Sequence, residues 1–317
     1  MAHPAASATA PVLFFLLTVL LGSTSPLSAA ADTPPLSRTP AELETAATVA
    51  GNPLFAEWTT PFGTPPFAQI EPEHFEPAFA HAMALHRQEV AAIAANPEPP
   101  TFVNTIAALE RAGRDLDRVE RVFSVFTSSA TSDEYRAIQR TMSPKLAAHT
   151  SAIMLDEALF ARVDRLHERR DALDLAPEQA RVLERTHTRF VRAGAELTGA
   201  DRARLAAITE ELATLQTAFG QNVQKDAEAF ALVLETAADR AGLPDAVLNT
   251  AAQAAAERGH EGRHVITLAR SSFEPFMTFS TRRDLREAVF RAWTDRGGSG
   301  NEHDNEDLIR RILLLRL

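Results

Sequence analysis

Cysteine is absent from the 317 residues, and tyrosine occurs only once. Without cysteine there are no disulfides, no thiol nucleophile and no thiolate metal ligands, so any metal would be held by His, Asp or Glu. Positive charge is also in short supply, with 32 Lys and Arg against 42 Asp and Glu and a formal charge of -10. This acidic balance argues against nucleic acid as a partner, because a protein that binds phosphates needs a basic face.

Glycine is scarce, with 13 residues, whereas alanine and leucine are abundant. This composition favours helix over sheet, and a hydrophobic content of 45% is enough for a sizeable core. We therefore predict a mainly α, multi-helix domain with a few short strands near 229–234 and 264–279. No repeat of fixed period is visible.

The main apolar run near the amino terminus, residues 12–21, is too short to span a bilayer comfortably. Ala29-Ala30-Ala31 before Asp32 fits the small-residue pattern of a signal-peptide cleavage site. We expect residues 1–31 to be a signal peptide, which gives a periplasmic or secreted protein with no membrane attachment after cleavage. No Lys or Arg precedes the run, and a buried amino-terminal helix or an uncleaved anchor is the alternative. Residues 32–51, rich in Pro, Thr and Ala, are predicted to be a flexible leader.

The most regular pattern lies between Asp201 and Asp226. Apolar residues recur there at steps of three and four, which predicts one long helix that begins at Thr198 or Asp201. Gly220 inside this helix is expected to mark close packing or a bend. The apolar stripe consists of Leu205, Ile208, Leu212, Leu215, Phe219 and Val223.

The other helices are predicted from similar patterns and from capping residues. Residues 52–70 are expected to form an extended arm pinned by aromatics, 273–279 to be extended or a turn, and 297–300 to be a flexible loop. Pro144 is expected to kink or divide its helix. The predicted helices cover 72–95, 101–128, a segment from 131 onward, 155–173, 177–194, 244–259, 281–296 and a last segment from 304 or 305.

Four arginines follow one side of the predicted helix 101–128. We interpret them as a solvated face, because Glu110 precedes one arginine by four residues and Asp117 precedes another by four. An anion-binding site is the alternative. The four are Arg111, Arg114, Arg118 and Arg121.

The segment from His260 to His264 reads HEGRH and matches H-E-x-x-H, in which two histidines on one helix face bind zinc and the glutamate acts on the bound water. Its surroundings argue against a helix, because Gly259 and Gly262 interrupt it and the β-branched residues 265–267 follow at once. We predict that the segment binds no catalytic zinc, and we assign no catalytic, cofactor-binding or metal-binding residue. A third ligand would have to be Glu274, Glu287, His303 or Glu306, each supported only by its residue type.

The remaining histidines are predicted to be isolated. His81 and His86 are five residues apart and do not share a helix face. Each of the others is interpreted as a surface or half-buried side chain rather than a ligand, namely His74, His149, His167 and His187.

Short segments along the chain resemble one family of zinc peptidases, that of peptidyl-dipeptidase Dcp, oligopeptidase A and thimet oligopeptidase, and most closely its bacterial Dcp branch. The match covers only the amino-terminal half of such an enzyme. The segments are NPLF at 52–55, TPFG at 60–63, PPF at 65–67, PEHFEPAF at 72–79, PTFVNTIAALE at 100–110, MSPKLAAH at 142–149, FVRAGAEL at 190–197, FGQNV at 219–223 and VITL at 265–268.

This resemblance implies that residues 52–317 form a helical wall of a deep channel that admits short, unfolded peptides. In the family a zinc-activated water hydrolyses oligopeptides, in this branch with release of C-terminal dipeptides, and the zinc ligands lie on the other half. Zinc is therefore expected in the full-length family and none in this chain, which is expected to be inactive alone. Whether the chain is an enzyme by itself is left open.

The last predicted helix carries an apolar side and meets no stop signal before Leu317. We interpret this as truncation before the zinc domain, with the apolar side free for self-association. The alternative is a free-standing helical module that binds peptides or a partner. A downstream reading frame encoding H-E-x-x-H in a helix would distinguish the two. The apolar side consists of Leu308, Ile309, Ile312, Leu313 and Leu315.

We predict that the mature chain begins at Asp32. Amino-terminal sequencing of the protein recovered from the periplasm or the medium should start at this residue, because the peptide bond after Ala31 follows the small-residue pattern. A soluble cytosolic protein that still begins at Met1 or Ala2 would contradict the prediction.

Overall fold

The computed structural model describes Val49, residues 51–298 and residues 300–317. The predicted signal peptide and most of the predicted leader lie outside these residues. The described chain is mainly α, as predicted. Its helices are α1 (Phe75–Ala94), α2 (Ala107–Arg111), α3 (Arg114–Ser129), α4 (Asp133–Met154), α5 (Glu157–Glu168), α6 (Pro177–Arg192), α7 (Gly199–Ala229), α8 (Asp245–Glu257), α9 (Arg270–Phe279), α10 (Arg283–Thr294) and α11 (Glu306–Arg316), with strands β1 (Leu232–Val233) and β2 (Val265–Ile266).

The two strands form a short antiparallel pair. Leu232 lies opposite Ile266 and Val233 opposite Val265. Both predicted strand regions are thus confirmed, although each strand is only two residues long. The pair brings together the two chain segments that flank α8.

The expectation that 273–279 is extended or a turn is wrong, because these residues belong to α9 despite Pro275. Phe273, Phe276 and Met277 recur at helical spacing and pack into one core with residues around the strand pair. Burial of this face outweighs the one backbone hydrogen bond that proline removes.

The first core lies between α1, α3 and α4 and is built on aromatic rings. Phe75 is fully buried, and its ring centroid lies 4.9 Å from that of Phe123 and 5.9 Å from that of Tyr135. Offset and edge-to-face contacts of this kind add stability beyond the buried area. The single tyrosine of the chain is therefore a core residue, and burial raises the pKa of its phenol.

A second core joins α5 and α6 to the end of α1 and to the turn before α2. Leu159, Val163 and Leu166 of α5 and Leu183 and Phe190 of α6 are buried there. The predicted apolar patterns of helices 155–173 and 177–194 account for this packing. The observed helices are shorter, since α5 ends at Glu168 and a 3₁₀ turn at Arg170–Ala172 follows.

The third core draws on residues from 227 onward and contains the strand pair, α8, α9 and α10. Leu234, Leu268, Phe276 and Val289 are buried in it. The carboxyl-terminal end of α7 reaches this core through Ala227, whereas the body of α7 packs on α4. The long helix is therefore the element that joins the third core to α4.

The predicted single helix 101–128 is divided, which the sequence pattern did not indicate. A π turn at Phe102–Ile106 leads into α2, and Gly113 adopts a left-handed φ of 76° before α3 begins. A Cβ at this position would lie 2.8 Å from the ring of His86, and the Gly113 N–H donates to Glu89 Oε2 at 2.7 Å. The close approach of α1 thus fixes the break, and glycine is needed there.

Neither Pro144 nor Gly220 divides its helix, while the alternative expectation, a kink at Pro144, stays a prediction. Pro144 lies inside α4, which is assigned as one helix from Asp133 to Met154. Gly220 lies inside α7, and a Cβ built at this glycine would meet no atom within 4 Å. The interpretation of Gly220 as a mark of close packing is therefore wrong, whereas the alternative, a bend in the helix at this residue, stays a prediction.

The predicted long helix is confirmed and extends beyond its predicted bounds, with Thr198 before its first turn. Its apolar stripe is only half-buried, because one face packs on α4 and α11 while the rest is open. Among the described residues of α7, only Gln221 is buried. A polar side chain therefore occupies the most protected position of the helix.

The amino-terminal arm at 52–70 consists of turns and short 3₁₀ segments instead of one extended segment. Trp58 pins it as predicted, since Trp58 Nε1 donates to the carbonyl of Pro53 at 2.9 Å and the guanidinium of Arg118 lies 3.7 Å from the indole centroid. Phe55 contacts the ring of His81. Phe62 does not help to pin the arm, because its side chain is fully exposed.

The last helix does not present one uncovered apolar side. Leu308, Ile312 and Leu315 are half-buried or buried where α11 packs on α7, while Ile309 and Leu313 are exposed. Arg311 and Glu211 form an ion pair across the same contact. The predicted exposed stripe is therefore split into a covered line and an exposed line. Among the residues that the structure describes, no helix has the length and apolar character to cross a bilayer.

We predict that Gly220→Ala stabilises the chain. Alanine has a higher helix propensity than glycine, and the position offers free space, so the free energy of unfolding should rise by about 0.5–1 kcal/mol. Urea unfolding followed by far-UV circular dichroism measures this change. Gly113→Ala is the matched control and should lower the free energy of unfolding, because of the left-handed backbone and the adjacent His86 ring. A destabilising Gly220→Ala would contradict the open environment of this glycine.

Candidate functional site

The HEGRH segment lies in turns between α8 and β2. Gly259 has a φ of 73°, and the His260 N–H donates to the Ala255 carbonyl at 2.8 Å, a bond that closes the end of α8. Gly262 is also left-handed, with a φ of 75°, and the backbone carbonyl of His264 accepts from the Leu234 N–H at 2.9 Å beside the strand pair. The two histidines therefore do not lie one turn apart on a helix, as the zinc motif requires.

The other proposed ligands do not converge on this segment either. Glu274, Glu287 and Glu306 each pair with an arginine of their own helix, four residues away. Within the described residues, neither His260 nor His264 belongs to a group of three side chains close enough to share a metal ion. HEGRH thus does not fit a catalytic zinc site, and the absence of catalytic zinc from this segment stays a prediction.

His149, which was predicted to be isolated, is buried and pairs with the half-buried His86. His149 Nε2 of α4 lies 3.0 Å from His86 Nδ1 of α1, and the guanidinium of Arg87 lies 3.5 Å from His149 Nδ1. Because the guanidinium can only donate, His149 Nδ1 is the acceptor and Nε2–H donates to His86. Burial, His86 and Arg87 together lower the pKa of His149 to about 4.

A second histidine pair lies between α5 and α6. The rings of His167 and His187 are stacked, with centroids 3.8 Å apart and planes inclined by 7°. His187 Nε2 lies 3.0 Å from Asp164 Oδ1, one turn before His167 on α5. Burial lowers the pKa of His167, as do the neighbouring His187 and Arg170. The prediction that His167 and His187 are isolated is wrong, because helix packing joins residues 20 apart in sequence.

The FGQNV segment lies where α7 meets α4 and α11. Gln221 Nε2 donates to the Arg136 carbonyl and to Gln139 Oε1, both at 2.9 Å, and Arg140 donates to Gln221 Oε1 at 2.7 Å. The next side chain, Asn222, points to the other neighbour and donates to Asn305 Oδ1 at 2.9 Å. The segment is therefore a structural junction with polar contacts on two sides.

The glycine loop after α10 is tied to this junction at Gly297, and the predicted flexibility of the loop stays a prediction. The Gly297 N–H donates to Asp226 Oδ2 at 2.8 Å, and its carbonyl accepts from the Asn305 N–H at 2.8 Å. Asn305 is fully buried and also donates to the Phe219 carbonyl. Gly297 has a φ of 70°, and a Cβ there would lie 2.5 Å from Asn305 Nδ2, so a side chain is excluded. These contacts hold the start of α11 on α7.

The arginine face is a solvated face in part. Arg121 pairs with Asp117 at 2.8 Å as predicted, and both side chains are exposed. The proposed pairing of Glu110 with Arg114 fails because Gly113 separates their helices. Arg118 leaves the row and packs on Trp58, where it also donates to the Ala56 carbonyl at 2.6 Å. The four arginines therefore do not form a continuous anion site.

One shallow cleft runs between α4 and α7 beside the Gln221 contact. It encloses about 400 Å³ and carries both amide and aliphatic groups. Side-chain amides and hydroxyls can bond the backbone of an extended peptide, and small apolar groups can contact its side chains. The lining residues are Gln139, Ser143, Leu146, Ala213, Gln216 and Thr217.

Comparison with models of known protein families gives no match. Among curated proteins, dipeptidyl carboxypeptidase of Escherichia coli (strain K12) is 37% identical over 265 residues, which cover 84% of this chain and 39% of that protein. Oligopeptidase A of Haemophilus influenzae is 29% identical over 259 residues, 80% of this chain and 38% of that protein. The organellar oligopeptidase A of Arabidopsis thaliana is 27% identical over 276 residues, 85% of this chain and 34% of that protein.

The described fold and these relatives place the chain in the class of helical proteins related to peptidases. It belongs to the family of dipeptidyl carboxypeptidase and oligopeptidase A, and the resemblance inferred from the short sequence segments is confirmed. The chain spans about two fifths of the length of the Escherichia coli dipeptidyl carboxypeptidase and of the Haemophilus influenzae oligopeptidase A.

We predict that acid destabilises the chain partly through His149. The folded state keeps this imidazole neutral down to about pH 4, whereas the unfolded chain takes up a proton near pH 6.5. The stabilising contribution of neutral His149 to the free energy of unfolding is therefore fully present above about pH 6.5. It is lost as the pH falls toward 4, by up to about 3 kcal/mol. Urea unfolding measured between about pH 7.5 and 4.5 records this dependence.

The variant His149→Asn tests the assignment. It should be less stable at neutral pH, because the contacts to His86 and Arg87 change, and its stability should depend less on pH than that of the unmodified chain. His260→Asn, in the turn after α8, is the control and should keep the original dependence. An unchanged dependence in His149→Asn would contradict the assignment.

Proposed function

We propose that this chain is part of a zinc metallopeptidase of the peptidyl-dipeptidase type, which hydrolyses oligopeptides and releases C-terminal dipeptides. The observation that carries the proposal is the 37% identity to a dipeptidyl carboxypeptidase over 84% of the chain. Identity at this level over 265 residues supports a shared fold and a shared type of substrate.

The described residues are proposed to serve the peptidase as a wall and not as its catalytic centre. The HEGRH geometry does not fit a catalytic zinc site, and no other described residues form a zincin arrangement of two histidines one helical turn apart with a glutamate between them. In this proposal the zinc ligands belong to the part of such an enzyme that the chain does not match. Bound zinc would polarise the water that attacks the peptide bond.

The cleft between α4 and α7 is the proposed contact for an extended peptide. Gln139 and Gln216 offer amide groups, and Thr217 offers a hydroxyl oxygen as an acceptor, since its proton is donated to the Ala213 carbonyl. Gln139 also bonds the amide of Gln221, so its side chain is held in place without a ligand. A held side chain loses less conformational entropy when a peptide binds.

Two further properties belong to this proposal. The signal peptide at 1–31 would place the protein in the periplasm or outside the cell. The exposed line of α11, with Ile309 and Leu313, would allow self-association of the isolated chain, because uncovered apolar side chains favour contact with a second surface.

A free-standing helical module that binds peptides is the second candidate. The same cleft favours it, since binding an extended peptide needs no metal. The two candidates predict different results for a protein extended through any downstream reading frame. As part of a peptidase it would bind and cleave a peptide, whereas as a binding module it would bind the peptide without cleaving it.

We predict that the 317-residue chain with added zinc does not hydrolyse a quenched-fluorescent oligopeptide above background. A zinc peptidase needs a metal, an open position for water and a base within reach of that water, and HEGRH does not provide this geometry. Fluorescence release with and without a chelator is the measurement. A protein extended through the downstream frame should cleave the same peptide, and the chelator should stop it.

The double variant His260→Ala, His264→Ala is the control for the motif. It should leave the cleavage rate of the extended protein unchanged, because these residues are proposed to bind no catalytic zinc. Chelator-sensitive turnover by the short chain that disappears in this double variant would overturn the assignment of the chain as a wall. Peptide binding without cleavage by the extended protein would favour the second candidate.

A further inference from the structure

The only group of three metal-ligating side chains that lie close together in the described residues is Asp164, His167 and His187, far in sequence from HEGRH. We propose that these three residues form a binding site for one divalent transition-metal ion such as zinc, which would link α5 to α6. The proposal does not depend on the peptidase activity, because it concerns two helices of the second core.

The arrangement of the three side chains follows from the two helices. Asp164 and His167 are three residues apart on α5 and so lie on one face, one above the other. His187 comes from α6, which packs on α5. The potential ligand atoms of all three side chains lie within 4.8 Å of one another.

These distances are close to what a metal ion needs. Zinc bonds to imidazole nitrogen and carboxylate oxygen are about 2.0–2.2 Å long, so two ligands of one ion lie within roughly 4.4 Å of each other. His187 Nε2 and Asp164 Oδ1, 3.0 Å apart, already meet this limit. Rotation of the His167 ring out of its stack with His187 brings in the third ligand. The His187 proton then resides on Nδ1, and the metal replaces the hydrogen bond to Asp164.

The ligand set suits a metal ion that prefers imidazole nitrogen better than a hard cation that prefers oxygen. Two neutral nitrogen ligands and one carboxylate are typical of zinc, cobalt, nickel or copper, whereas calcium and magnesium prefer oxygen ligands. The ring of Phe160 also stacks on that of His187, with centroids 5.9 Å apart, and limits the orientations that the imidazole can adopt. Asp164 is partly exposed, which leaves room for a water molecule as fourth ligand.

Two charged neighbours act in opposite directions. Arg170, whose guanidinium donates to the His167 carbonyl at 2.9 Å, opposes a further cation. Glu184 on α6 lies within electrostatic range of His167 and favours one, although it is paired with Arg181 at 2.6 Å. The charge of Asp164 therefore decides the balance at the site itself.

A metal that binds the folded chain and bridges two helices stabilises the fold by mass action. Its bonds would link α5 and α6 directly, next to the buried residues Val163 and Leu166 of the second core. The expected role is structural, a metal-dependent increase in the stability of this helix pair.

The test uses the purified 317-residue chain and zinc alone, in competition with a chromophoric chelator. We expect one zinc ion per chain, a higher unfolding temperature with zinc that is reversed by the chelator, and visible absorption bands when cobalt replaces zinc. Asp164→Asn and His187→Asn should each weaken zinc binding by at least about tenfold. Removal of a residue that only hydrogen-bonds to a metal ligand already lowers metal affinity about 10–100-fold.

The double variant His260→Asn, His264→Asn is the matched control, because it also removes two histidines, and it should retain the zinc ion. Asp164→Asn keeps the stacked histidines and the shape of the site, so its unfolding temperature without metal checks that the fold is intact. The proposed site would be overturned if the folded single variants Asp164→Asn and His187→Asn both bound zinc as tightly as the unmodified chain. Zinc binding that is lost only in the control would overturn it as well and would assign the metal to HEGRH.

Discussion

The buried amide of Gln221 is the contact on which the arrangement of the helices depends. It lies where α7 crosses α4, and all of its hydrogen-bonding groups face partners on α4. An unpaired amide in such a place would cost about 1–3 kcal/mol, so the two helices can pack only in the register that satisfies it. Apolar packing is less selective, because leucine and isoleucine contacts tolerate small shifts along a helix. The side chain of Asn222, next in sequence, fixes α11 and the glycine loop on the same helix.

This arrangement explains why the longest helix is only half-buried. It is shared between α4, α11 and the third core and contacts each over part of its length. A helix that connects cores instead of filling one has mixed polar and apolar surfaces, and the half-exposed stripe of α7 has this character. Such a surface also suits the proposed role in a peptide channel, where one side of a helix must remain accessible to substrate.

The sequence predicted the fold class, most helix positions and the two strand regions, because these follow from local periodicity and capping. It also predicted that HEGRH lies next to a strand and outside a helix, since Gly259 and the β-branched residues 265–267 determine the local backbone. It did not predict the break at Gly113, the helix at 273–279 or the glycine loop contacts, which depend on His86, the third core and Asn305 in space. The clusters His86–His149 and Asp164–His167–His187 were missed for the same reason. Each joins two helices, and only the spacing of Asp164 and His167 gave a local signal.

The length of α7 gives the Gln221 contact a mechanical meaning. The helix begins at Gly199, roughly 33 Å from Gln221 at 1.5 Å per residue, and ends only about 12 Å beyond it. A tilt of about 5° around this pivot would displace the first turn by roughly 3 Å and the last turn by about 1 Å. The contact thus divides the helix into a long and a short arm, and a slight adjustment near the third core would be amplified at the distant end, where Arg202 pairs with Glu157 of α5.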